Sequence, residues 1–87
     1  MKRIEGIKTY RYDTGIDIEY EGRPHRLNIL VTVRSDLYEA TMYCDCIGLA
    51  VYMFGGFKTS VTFAEFIDMV EANLPDYIQD FEYELNK

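Results

Sequence analysis

The sequence predicts an α+β domain: an antiparallel β-meander of four strands, with a fifth left open, followed by two C-terminal helices packed on one sheet face. Three observations predict it. Residues 16–46 alternate apolar and polar side chains with a period of two, the mark of half-buried strands. Thr62-Phe63-Ala64-Glu65 spells a capping box immediately ahead of apolar residues at helical spacing. The 87 residues suffice for one core, and no repeat, low-complexity tract or Pro/Ser-rich linker divides them. A single domain over 1–87 follows, with a meander in 1–46, an apolar Gly-containing connection in 47–58 and a helical part in 62–86.

The first strand is expected near Ile7–Tyr12, where Lys8 and Arg11 would guard an exposed edge. Asp13-Thr14-Gly15 fits a three-residue hairpin ending in a glycine bulge. A type II′ turn at Gly22-Arg23 then pairs Tyr20 with His25 and Ile18 with Leu27. A turn at Ser35-Asp36 pairs Val33 with Tyr38, Val31 with Ala40 and Ile29 with Met42, and sets Leu27 opposite Cys44 and His25 opposite Cys46. One face is then apolar throughout, and includes Tyr10, Tyr12, Tyr20 and Tyr38. On the other face Arg26 meets Asp45 and Thr32 meets Glu39. From Ile47 to Phe57 the chain is apolar without a period, which leaves a strand, a helical turn and a loop open.

In the helical part, Val61 and Phe66 supply the hydrophobic staple that accompanies the capping box. Phe63, Phe66, Ile67 and Val70 form one apolar stripe. Asn73-Leu74-Pro75 is expected to break this helix, with Pro75 in the first turn of a second helix whose stripe is Ile78, Phe81 and Leu85.

Charge narrows the function. The net charge is −6, and residues 1–59 carry as many bases as acids. All of it therefore arises in the last third, where Glu65, Asp68, Glu71, Asp76, Asp80, Glu82 and Glu84 face Lys87 alone. Direct nucleic-acid binding needs a clustered basic surface and is not expected. The longest apolar run, Ile47–Gly56, is too short to span a bilayer. No apolar segment follows Met1-Lys2-Arg3, so a secretory leader is not expected, and two cysteines one residue apart make no disulfide framework. A cytoplasmic protein is the expectation.

Catalysis has little to draw on. His25 is the only histidine, and no nucleophile elbow, phosphate-cradling loop or zinc-protease motif occurs. No enzyme activity and no cofactor are expected. His25, Cys44 and Cys46 are the only soft-ligand group; without a fourth ligand they read as packed thiols beside a histidine rather than a metal site.

What remains is a docking surface. Asp76, Asp80 and Glu84 recur every four residues and stack along one ridge, flanked by Glu82 and Tyr83, with Glu65 and Asp68 upstream. Carboxylates so arranged can imitate phosphate spacing and steer association with a basic partner. Tyr52 and Phe54, before Gly55-Gly56, are candidate apolar anchors. In size, acidity and tyrosine content the chain resembles the small effectors of phages and mobile elements, anti-CRISPR proteins included; the resemblance is one of class and carries no residues. It implies an inhibitor or modulator that occupies the basic site of a nucleic-acid-binding enzyme. Two alternatives stand beside it: a structural or regulatory subunit, homodimeric for instance, joined through a strand edge or residues 49–57, and a metal or ligand site at His25, Cys44 and Cys46.

Overall fold

The computed structural model describes residues 8–87. The expectations placed on Met1–Ile7, the absence of a leader among them, lie outside the described residues. Strands β1 (Lys8–Tyr20), β2 (Arg23–Val33), β3 (Leu37–Cys44) and β4 (Leu49–Phe57) form one antiparallel sheet in chain order. One helix, α1 (Phe63–Leu85), lies across β3 and β4. The class is α+β, a four-stranded meander with a single C-terminal helix. No described helix is long and apolar enough to cross a membrane.

The expected pair of helices is therefore corrected to one. Pro75 sits inside α1 rather than at the start of a second helix. Its ring removes one backbone donor, a penalty of about 3 kcal/mol in a helix interior. Two features offset it. Pro75 lies on the exposed side, where water can reach the carbonyl left without a partner. The apolar stripe also continues in phase across it, from Phe66 and Val70 through Leu74, Tyr77, Ile78 and Phe81 to Leu85. Burying Phe81 completely, together with the partly buried Tyr77, Ile78 and Leu85 that also lie beyond Pro75, outweighs the local cost. At the N-terminus the capping box is present: Glu65 N–H donates to Thr62 Oγ1 at 3.2 Å, and Thr62 N–H donates to the Glu65 carboxylate at 2.8 Å. That second bond holds the Glu65 carboxyl below its usual pKa.

Asp13-Thr14-Gly15 does not reverse the chain. It forms a bulge inside one long strand, where the pairing passes from Asp13↔Asn28 to Asp17↔Arg26. Gly15 takes φ 74, and the bulge closes on its own side chains. Thr14 Oγ1 donates to the Leu27 carbonyl at 2.8 Å, and Gly15 N–H donates to Asp13 Oδ1 at 2.8 Å. A hairpin and a bulge both require a glycine at positive φ, so the same three residues serve either.

The next turn falls at Glu21-Gly22, both at positive φ, and not at Gly22-Arg23. The pairs become Tyr20↔Arg23 and Ile18↔His25. A two-residue turn closes on the N–H of its fourth residue, which would have been Pro24, and proline has none. The shift is two residues, so the same side chains remain on the core face. The Ser35-Asp36 turn sits as expected, with Val33↔Tyr38, Val31↔Ala40 and Ile29↔Met42. Arg26 meets Asp13 and Asp17 across the bulge, at 2.9 and 2.7 Å, and not Asp45.

The core lies between sheet and helix, with Leu27, Ile29, Val31, Ala40 and Met42 below Phe66 and Phe81. Tyr38 belongs to it, whereas Tyr10 stays 42% exposed at the sheet margin, its ring 5.4 Å from Phe63. The segment without a period is β4. Its pattern is masked by a bulge at Met53: Ala40 pairs with Phe54 but Thr41 with Tyr52.

Candidate docking surfaces

The two glycines before α1 position it. A Cβ on Gly56 would lie 3.3 Å from both Phe66 and Val61, so the bare backbone admits the Phe66 ring. Phe66 then packs against Tyr38 and Phe54, with ring centroids 5.3 and 5.4 Å apart. Further along, the Tyr77 hydroxyl donates to the Met53 carbonyl at 3.0 Å, clipping the helix to the β4 bulge. Gly55 faces the opposite side of the sheet. A Cβ there would lie 3.0 Å from the Tyr52 hydroxyl, so Tyr52 lies over it.

These contacts orient the helix. Phe63 and Ile67 face β1 and β2, where Ile67, Val70, Glu71 and Leu74 line a cleft of about 290 Å³ with Tyr12, Thr14 and Ile29. Phe66 and Tyr77 face β4. Asp76 and Asp80 lie one step further round the helix from Tyr77, and Glu84 follows four residues on. The ridge Asp76, Asp80, Glu84 therefore occupies the flank above the β4 edge. Glu82 and Glu71 lie on the other flank and Asp68 behind them, while Glu65 and Tyr83 share the side of Asp76, where the ridge begins. All seven carboxylates are exposed. Among the described residues, only Glu84 has a cationic partner, Lys87 at 3.8 Å. Three of the sheet's acids are paired by contrast: Arg26 binds Asp13 and Asp17, and Arg34 binds Glu39. The Arg26 guanidinium, with the Gly15 N–H, holds the Asp13 carboxyl below the usual aspartate range.

The apolar anchors divide. Tyr52 is 55% exposed on the helix-free face. Phe54 is half-buried under α1, between Phe66 and Tyr77, and is no surface anchor. Phe57, at 60% exposure, is the exposed aromatic beside Tyr52 instead, and it escaped sequence reasoning. Counting in twos puts Tyr52 with Phe54; the bulged Met53 puts Tyr52 with Gly55 and Phe57 instead. Leu37, Tyr52, Gly55 and Phe57 enclose a hollow of about 270 Å³, with Glu39 at its side.

The soft ligands also separate. Cys44 is buried in the core and Cys46 is exposed in the β3–β4 turn, where it borders a hollow with His25. Among the described residues no three His, Cys, Asp or Glu side chains stand close enough to hold a metal ion. No protein-family model matches the chain, and no curated protein or solved structure matches it either.

Proposed function

We propose that the chain is a small non-enzymatic protein-binding module that docks α1 on a basic partner surface, most concretely the nucleic-acid site of an enzyme, which it inhibits or modulates. One observation carries this reading: the exposed, almost unpaired carboxylates along one rigid helix. From Glu65 to Glu84 the helix rises about 28 Å, or roughly one carboxylate per 5 Å. A single nucleic-acid strand carries about one charge per 3.4 Å and a duplex about one per 1.7 Å. Taken over the whole helix, the density is nearer to that of a single strand than to that of a duplex. Because the sheet's charges largely cancel and the helix's do not, the field points outward from one side of the molecule and steers encounter.

The test is capture of a partner by the tagged chain, in competition with a single-stranded oligonucleotide. The oligonucleotide is expected to displace the partner. The triple variant Asp76→Lys, Asp80→Lys, Glu84→Lys should lose capture while keeping the wild-type melting curve. Capture that survives both overturns the reading.

A further inference from the structure

Resting on that docking surface, we propose that the outer edge of β4 and the acidic ridge above it form one composite site for an extended, basic strand of the partner, which adds to the sheet as a fifth strand.

The backbone supplies the first half. Lys58 N–H donates to the Asp36 carbonyl at 3.0 Å, so Asp36 and Lys58 are a hydrogen-bonded pair in register with Leu37↔Phe57. Hydrogen-bonded and non-bonded pairs alternate in an antiparallel ladder. Gly55 and Phe57 thus fall in non-bonded pairs, and their N–H groups point away from β3. The Phe57 carbonyl is already taken by Ser60 and Val61 N–H groups at 2.9 and 3.1 Å, which agrees with this outward direction. The Gly55 N–H and C=O and the Phe57 N–H are left facing outward at the terminal strand of the sheet. From Leu49 to Phe57 no side chain is charged, so nothing on the strand repels an added one.

The helix supplies the second half. Phe66 sits over Gly56 and Tyr77 reaches Met53, so α1 runs back along β4 and continues toward its Leu49 end. Side chains on one face of an extended strand repeat every ~6.6 Å. Asp76, Asp80 and Glu84 repeat every ~6 Å along the helix. Lysines or arginines at alternate positions of an added strand would therefore stand opposite successive carboxylates. The intervening side chains would fall on the helix-free face, where the hollow between Tyr52 and Phe57, floored by Gly55, takes an apolar one. The site reads a strand alternating basic and apolar residues, the strand-addition mode of peptide recognition.

The same charge decides against a second copy of this chain. Pairing β4 with β4 about a twofold axis would bring two acidic ridges together on one face, a like-charge contact with no basic side chain on either edge strand to relieve it.

The experiment uses two synthetic peptides of identical composition, one alternating lysine and valine, the other with its lysines and valines in separate blocks. The alternating peptide is expected to bind at least tenfold tighter and to slow amide exchange at Gly55 and Phe57. Tyr52→Lys, which places an exposed charge at the edge, should weaken it at least tenfold without altering the melting curve. Equal affinity for the two peptides, or no binding of either, overturns the added strand; partner capture that still fails on charge reversal then leaves the helix-docking reading intact. Protection of Gly55 and Phe57 in a peptide-free dimer overturns it as well, because a second copy then fills the edge.

Discussion

Along β1 the strand carries Lys8, Arg11, Asp13, Asp17 and Glu19, whereas β4 from Leu49 to Phe57 carries no charged side chain. Both are terminal strands of the same sheet, and both are bulged. The β1 bulge is pinned by sheet residues, with Thr14 on the Leu27 carbonyl and Arg26 across Asp13 and Asp17. The β4 bulge is pinned from the layer above, by Tyr77. On one edge charge lies in the strand and prevents pairing. On the other it lies one layer up, on the helix flank, where in the strand addition proposed above it would select what may pair. The contrast teaches that charge beside an edge can be set within the strand or one layer above it, with different consequences for what that edge admits.

The largest effect should come from Phe66→Ala. Phe66 is wholly buried, and it holds α1 against Gly56, Tyr38 and Phe54. Truncation is expected to cost about 3–5 kcal/mol, a large part of the ~5–15 kcal/mol that stabilises an ordinary domain. Urea unfolding measures it. Since the helix also shields the core face of β4, the variant should self-associate well below its unfolding midpoint, seen by light scattering. A variant of equal stability to wild type would show that β4 does not depend on α1.

Much of this contrast could be read in the sequence, and its limits have physical causes. Charged side chains in 8–19 and their absence in 49–57 are plain. The β2–β3 register was legible because both faces carry a consistent pattern and the turn length was fixed. The capping box was legible because its partners are local. Three features were not. Pro75 marks a local penalty, and whether it ends a helix depends on the distant burial of Phe81. Asp13-Thr14-Gly15 encodes a glycine at positive φ without saying whether the chain reverses. The bulge at Met53 is held by Tyr77, 24 residues further on, so the face of Phe57 could not be found by counting. An in-phase stripe from Phe66 to Leu85 was, however, already visible and would have favoured one helix.

A smaller effect tests the clip itself. Tyr77→Phe removes the hydroxyl that serves the Met53 carbonyl and leaves the ring against Phe54. The loss is expected to be about 0.5–1.5 kcal/mol. Amide exchange should quicken along β4 and not along β1, which separates the two edges directly. Uniform acceleration in all four strands would mean that Tyr77 stabilises the fold as a whole and does not specifically hold the β4 bulge.

The smallest effect belongs to the guarded edge. Arg26→Ala removes both ion pairs at the β1 bulge, but these are exposed and contribute little to the melting point. Their signature is in the titration of Asp13, whose folded pKa lies below 3.8, first through Arg26 and then through the Gly15 N–H. A carboxyl with a depressed folded pKa contributes stability above its unfolded pKa and loses it as pH falls through the folded one. In Arg26→Ala the Asp13 midpoint, followed by side-chain carboxyl NMR, should rise toward 3.8 without reaching it, because the Gly15 hydrogen bond persists. The Asp13 part of the acid limb of the stability curve should become shallower and end at a higher pH, because the variant has less Asp13-linked stability to lose as pH falls. An unmoved midpoint would mean that the bulge backbone alone sets the charge of Asp13, and that the β1 edge is guarded by its shape rather than by its ion pairs.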